Sequence, residues 1–185
     1  MRTTALWTHL WNNRAPTQGL EDFRLEGRRA DSGMLAFDDD GKSYRLNYSV
    51  EYEKGWEPRG FNATVRDGRG SRNLTLRRDG LHWFDGTGQK LPELSGSLDL
   101  DLWPTPFTNS PSIWRLFLNP GERREIETVF VEAPQLTVRR MRQAYTRLDQ
   151  THYLYQNLDG SGFEAVLTLD EDGLVNRYPK FFQRL

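Results

Sequence analysis

From residue 44 to residue 53 the chain alternates without a break. Tyr44, Leu46, Tyr48, Val50 and Tyr52 share one parity, and Arg45, Asn47, Ser49, Glu51 and Glu53 the other. A period of two puts the first set on one face of a strand, buried or facing a ligand, and the second set in water. Weaker versions of this pattern recur. They predict strands over residues 4–9, 19–27 (Leu20, Phe23, Leu25), 34–37, 61–66, 72–78, 81–84, 98–102, 125–131, 151–157, 163–169 and 174–178. Residues 12–18 read as a polar loop, and Phe181-Phe182 as a closing segment docked on the body. Six Asp-Gly pairs begin at Asp40, Asp67, Asp79, Asp85, Asp159 and Asp172. Asp-Gly tolerates the positive φ angles of tight hairpin turns, so the punctuation predicts an antiparallel β protein.

One stretch breaks the pattern. After the alternation of Leu98, Leu100 and Leu102 with Ser97, Asp99 and Asp101, two prolines, Pro104 and Pro106, stop the strand. Ser110 followed by Pro111 reads as an N-cap and first helical residue. Ile113, Trp114, Leu116, Phe117 and Leu118 then cover most of a helix circumference, with Arg115 the main polar interruption, until Asn119-Pro120-Gly121 ends it. A helix of two to three turns is not stable alone in water. A large sheet before and after it must cover its own inner face, and curling around the helix does so. The expected fold is mainly β: a long antiparallel sheet rolled around a single central helix at about residues 109–118. Residues 136–148 are ambiguous, because Val138, Met141, Tyr145 and Leu148 fall at helical spacing.

Composition narrows the function classes. A chain of 185 residues can bury roughly 70% of its unfolded surface, and we expect a single domain over residues 1–185. The net charge of −1 gives no global field for nucleic acid or acidic membranes. Mean hydropathy is −0.76, and no run approaches the roughly 20 apolar residues of a membrane span, so no integral membrane association is expected. The absence of cysteine excludes disulfides and thiolate metal sites and fits a reducing compartment. Residues 1–13 have no apolar core of an export signal. The expected location is cytoplasmic. His9, His82 and His152 lie far apart, with no metal-ligand spacing, and no P-loop, dinucleotide or nucleophile-elbow motif occurs. No metal, cofactor or catalytic residue is assigned.

The candidate ligand site gathers at the helix start. Trp103, with Phe107 and Trp114, could form an aromatic wall for a sugar ring or acyl chain, with Thr105, Thr108 and Asn109 as hydrogen-bond partners and the helix amides available to an anion. Arg115, a charge on an apolar helix, must be paired with Asp99 or Asp101 or grip a phosphate or carboxylate. Tyr145 and Tyr155, with Tyr153 and the tyrosines of residues 44–52, suit an amphipathic ligand, since each ring packs while its hydroxyl bonds. Arg139, Arg140, Arg142 and Arg147 read as a solvated strand face. Asp99 and Asp101 stand roughly 6–7 Å apart on one strand face, within the range of glycosidase acid–base pairs.

Several of these segments together resemble the putative glycolipid-binding family, formerly a domain of unknown function. They are Asp101-Leu-Trp-Pro-Thr-Pro-Phe-Thr-Asn109 with its helix, Gln143-Ala-Tyr-Thr146, Tyr153-Leu-Tyr155 and Gly173-Leu-Val-Asn-Arg-Tyr-Pro179. The resemblance implies a spiral β-roll around one helix, often dimeric, and turns residues 136–148 from helix to strand. It carries no catalytic motif. The leading expectation is a non-enzymatic binding protein, a homodimer, holding a glycolipid or similar amphipathic small molecule between sheet and helix. Two alternatives differ in class. One is a small carbohydrate- or lipid-processing enzyme using Asp99 or Asp101 with His82 or Tyr155, which solvent-facing carboxylates would rule out. The other is a homodimeric interaction module with a filled interior and no ligand.

Overall fold

The computed structural model describes residues 2–10 and 19–185, so the expected polar loop at 12–18 lies outside the described residues. The chain forms β1 (Arg2–His9), β2 (Gly19–Glu26), β3 (Arg29–Phe37), β4 (Ser43–Tyr52), β5 (Pro58–Asp67), β6 (Gly70–Asp79) and β7 (His82–Asp85). After a 3-10 turn at Pro92–Leu94 come β8 (Asp99–Trp103), α1 (Asn109–Leu116), β9 (Arg123–Glu132), β10 (Thr137–Arg147), β11 (His152–Asn157), β12 (Glu164–Leu169), β13 (Val175–Tyr178) and β14 (Phe182–Arg184). All fourteen strands belong to one open sheet, ordered β7-β6-β5-β4-β3-β2-β1-β14-β13-β12-β11-β10-β9-β8. Two meanders therefore meet where the first strand pairs with the last, Trp7 opposite Arg184.

The alternation at residues 44–52 behaves as expected. All five apolar residues of β4 are buried, and their neighbours point outward. Turn chemistry is more varied than six identical hairpins. Gly41, Gly80, Gly160 and Gly173 take positive φ, but at Asp67-Gly68 and Asp85-Gly86 the positive φ falls two residues later, on Gly70 and Gly88. There the aspartate closes the turn with its side chain: Asp85 Oδ1 accepts from the Thr87 and Gln89 amides.

Two expectations need correction, the uniform strand direction and the exposure of β8, and one ambiguity is resolved: within residues 136–148 the chain is strand, as the resemblance implied and against its helical spacing. β10 pairs antiparallel with β9 from Thr137 to Thr146, and its inward set is Met141, Gln143 and Tyr145. The buried glutamine hides the period of two and leaves the helical spacing conspicuous. Phe181-Phe182 docks on the body as expected, and Phe182, fully buried, starts a strand between β1 and β13. The sheet is not wholly antiparallel, since β8 runs parallel to β9. The strand β8 is also not half-solvated: Leu100 and Leu102 face the core, and Asp99, on the opposite parity, is 2% exposed. It lies inside the roll, with the helix start against it.

The helix is a plug of mixed character. Its N-cap is Thr108 rather than Ser110, with no side-chain cap bond. The Thr108 hydroxyl turns back instead, accepting from the Leu102 amide at 3.1 Å and donating to Asp101 at 2.9 Å. That ties the helix start to the otherwise free edge of β8. The buried part of α1 is its first five residues, Asn109 to Ile113, and Phe117 ends it in a left-handed conformation, 89% exposed. Trp114 stacks on Trp56 at 4.4 Å and presses its indole against Gly173, where an added Cβ would lie 2.3 Å from Nε1. The glycine in Gly173-Leu-Val is thus required both by φ of +76° and by this contact.

Candidate functional site

The strand–helix junction opens into a cleft of about 320 Å³ between the start of α1 and the strands β8, β9, β10, β11 and β13. Thr105, Asn109, Met141, Tyr155 and Tyr178 form its buried base. Trp103, Phe163 and Phe181 stand half-buried along it. Trp103 meets Phe181 edge-on at 5.3 Å, and Phe181 meets Phe163 at 5.6 Å. Glu132, Arg139, Asp159 and Ser161 are exposed at its mouth.

Each polar group at the base is held by a second group behind it. Asp101 accepts from Thr108 Oγ1 through Oδ1 and from Gln143 Nε2 through Oδ2, at 2.9 and 2.6 Å. Burial pushes its carboxyl above the ordinary aspartate value, and these two donors pull it partly back. Asn109 Oδ1 accepts from the Tyr145 hydroxyl at 2.8 Å, and Asn109 Nδ2 donates to the Pro106 carbonyl at 3.2 Å. The Tyr155 hydroxyl donates to Asn157 Oδ1 at 2.5 Å. Burial holds the Tyr145, Tyr155 and Tyr178 phenols far above their usual range, so all three are neutral donors. Such bracing fixes rotamers before a ligand arrives.

Of the six residues singled out in the sequence, Trp103, Thr105, Asn109 and Tyr155 line this one cleft. Tyr145 is 1% exposed and acts from behind, through Asn109. Arg115 is elsewhere. It forms a two-pronged pair with Asp99, Nε to Oδ1 at 3.0 Å and Nη2 to Oδ2 at 2.5 Å, which Ser112 joins at 3.0 Å. An arginine so engaged has little left to offer a phosphate. Burial pushes the Asp99 carboxyl up while Arg115 pulls it back. His82 is exposed on β7 and does not line the cleft. The basic run on β10 is paired in part, Arg140 with Glu127 and Arg142 with Glu125.

Sequence reasoning missed Phe163, Phe181, Asn157 and Asp159 as cleft residues, because neither the segment from the end of β11 to β12 nor the turn between β13 and β14 gave a local sign of where it would fold. It also missed Glu21. This carboxylate is fully buried on β2, and Oε1 accepts from Ser32 Oγ, Tyr48 OH and Thr105 Oγ1 at 2.8, 2.8 and 2.9 Å. Desolvation raises its pKa to about 7 against those three bonds. A signal existed: Phe23 and Leu25 are the inward parity of β2, which puts Glu21 inward and Leu20 outward. Thr105 connects this carboxylate to the cleft. Among the described residues no group of three or more His, Asp or Glu side chains could hold a metal ion.

A family profile described as "Putative glycolipid-binding" matches residues 8–184. The chain belongs to that family. The chain is also similar to the crystal structure, at 1.80 Å resolution, of a DUF1089 family protein from Pseudomonas aeruginosa. It shares 49% identity with this chain and superposes with a TM-score of 0.89, covering 93% of this chain and 95% of that one. No curated protein matches. Asp101 to Asn109, and the Gly173-Leu-Val segment against Trp114, lie within the matched range and supply the deep side of the cleft and the seat of the helix. No helix among the described residues is long and apolar enough to cross a membrane.

Proposed function

We propose that this protein is a non-enzymatic binding protein that holds an amphipathic ligand, a glycolipid in kind, in the cleft between the helix start and the curled sheet. The observation that carries this reading is the cleft itself. Aromatic rings of Trp103, Phe163 and Phe181 converge with the braced polar groups of Asp101 and Asn109. A concave site with apolar walls and a few fixed polar groups is what a small ligand with two kinds of surface needs. The family description supports the same class of ligand. The whole chain acts in this proposal as one β-roll domain, a homodimer in the cytoplasm. Absence of cysteine supports that compartment, and light scattering on the purified protein tests the dimer. The ligand test is native mass spectrometry with lipid extraction of protein purified from its own host. A stoichiometric co-purifying lipid is expected. If nothing co-purifies and a lipid panel leaves Tm unchanged, the reading fails.

One observation favours a second reading, an enzyme on a small carbohydrate or lipid. Asp101 is a carboxyl with a raised pKa inside an open cleft beside Tyr155. Asp99 is removed from that role by Arg115. Turnover of chromogenic glycosides or esters, abolished in Asp101→Asn, would put catalysis in place of carriage. No turnover removes it.

A further inference from the structure

We propose that the cleft takes the sugar of its ligand and not an anionic group: an uncharged or amino-bearing pyranose ring lies in it, and any acyl tail remains outside. This deepens the binding reading and rests on it.

Charge comes first. The cleft is lined by Asp101, Glu132 and Asp159 against Arg139, whose guanidinium lies 4.7 Å over the Phe130 ring. A phosphate or carboxylate entering would meet three carboxylates and one cation already stacked on an aromatic face. The two usual sources of anion affinity are both spent. Arg115 is clamped by Asp99. The first amides of α1 are turned into backbone bonds, Ser110 to the Phe107 carbonyl at 2.8 Å and Asn109 to the Pro106 carbonyl at 3.4 Å. The helix start therefore presents few free N–H groups, and it faces the Asp101 carboxylate.

Hydrogen-bond capacity comes second. A carboxylate can accept about four bonds; Gln143 and Thr108 bond Asp101 and the Tyr155 hydroxyl stands near enough to act on it as well, so at least one lone pair remains for a ligand hydroxyl or an ammonium. Asn109 has spent its oxygen on Tyr145 and one amide proton on Pro106, which leaves the second proton of Nδ2. Asn157 has spent its oxygen on Tyr155, and its amide nitrogen has no partner among the described residues. A fixed acceptor with amide donors around it is matched by vicinal hydroxyls, each both donor and acceptor. The ring faces of Trp103, Phe163 and Phe181 suit the C–H face of the same sugar, and their edges and faces meet at 84° and 61° rather than stacking shut.

Size comes third. The cleft, about 320 Å³ and open to solvent, admits a single sugar ring against its base and leaves an attached tail free to run out through the mouth.

The experiment uses the full-length protein and follows binding by saturation-transfer NMR and tryptophan fluorescence. The probes are methyl glycosides of glucose, galactose and N-acetylglucosamine, free glucosamine, octyl glucoside below its micelle concentration, glucose 6-phosphate, octyl phosphate and octanoate. At least one uncharged or amino sugar should bind, its octyl glycoside at similar strength, and the phosphates and octanoate should not compete. Asp101→Asn should weaken that sugar by about tenfold or more, the loss of a charge-assisted bond. Should Asp101→Asn fold poorly, Glu132→Lys at the exposed mouth serves instead: it should let glucose 6-phosphate in while leaving Tm near the parent value. Phosphate probes binding the parent as well as neutral sugars would overturn the inference. So would octanoate or octyl phosphate binding alone, or a lipid that co-purifies while no sugar binds; in those cases the wider binding reading survives. If no probe binds and no lipid co-purifies, both fall.

Discussion

The two meanders have seven strands each, but they bury different things. Along β1 to β7 the inward positions are closed: Phe23, Leu25, Leu46, Val50, Phe61 and Val65 are at 0% exposure around the buried tyrosines of β4, Tyr44, Tyr48 and Tyr52, and Phe107 caps them with its ring centroid 4.3 Å from that of Phe23. Along β8 to β14 the inward positions carry hydroxyls and amides, with Tyr145, Tyr153, Tyr155, Tyr178 and Gln143 among them, and the cleft opens there. Branched aliphatic chains interdigitate to crystal-like density. Phenol rings must leave each hydroxyl a partner, so they stand off from one another and hold polar groups in register. The same curled sheet thus yields a scaffold on one side and a site on the other: inward tyrosines occur in both, but Tyr48 is spent on Glu21 and Thr105 and Tyr52 is covered by Phe107, whereas Tyr155 and Tyr178 face an open cleft.

The comparison can be broken from the scaffold side. Phe61→Ala should cost about 3–5 kcal/mol, as for other fully buried rings, read by urea unfolding, while the folded fraction keeps its ligand affinity. A loss of affinity in step with stability would show that the halves are not separable.

Glu21 is the buried carboxyl of the filled half, and pH exposes it. Its folded pKa, about 7, stands above its ordinary 4.5. For a group raised in this way the full contribution to stability is present below the ordinary value and is lost as pH rises through the folded one. That difference is on the order of 3 kcal/mol between about pH 4.5 and pH 8. Glu21→Gln keeps an oxygen for Ser32, Tyr48 and Thr105 and should flatten this part of the stability–pH profile. An unchanged slope in the variant would mean that another group titrates there.

Smaller effects are expected on the seam between helix and sheet. Gly173→Ala should cost about 1–3 kcal/mol, from positive φ and from the indole of Trp114, with a shift in tryptophan emission. The smallest change in stability should come from the site. Phe163→Ala, at a half-buried ring, should cost under about 1 kcal/mol and still abolish most ligand binding. An equal cost for Phe163→Ala and Phe61→Ala would erase the distinction between the halves.

Local pattern carried the sequence reading a long way. Strand β4 was legible because five large residues share one parity, and Trp103, Thr105 and Asn109 were legible because a proline-broken strand feeding a helix concentrates chemistry. Periodicity left residues 136–148 ambiguous because a buried Gln143 interrupts the apolar alternation, and only the family resemblance turned them to strand. The parallel pairing of β8 with β9 was invisible, since strand direction is decided by partners far along the chain. Phe163 and Phe181 were missed as site residues for that same reason: nothing within their own neighbourhood says that the roll brings them opposite Trp103.

The pairing of β1 with β14 sets a timetable. Hairpins within each meander close short loops, but the contact of Trp7 with Arg184 spans nearly the entire polypeptide, and long-range closure is slow. A ribosome-bound chain can zip its early hairpins as they emerge, yet it must keep the outer edge of β1 waiting, exposed to any other edge it meets, until the last strand arrives to cover it.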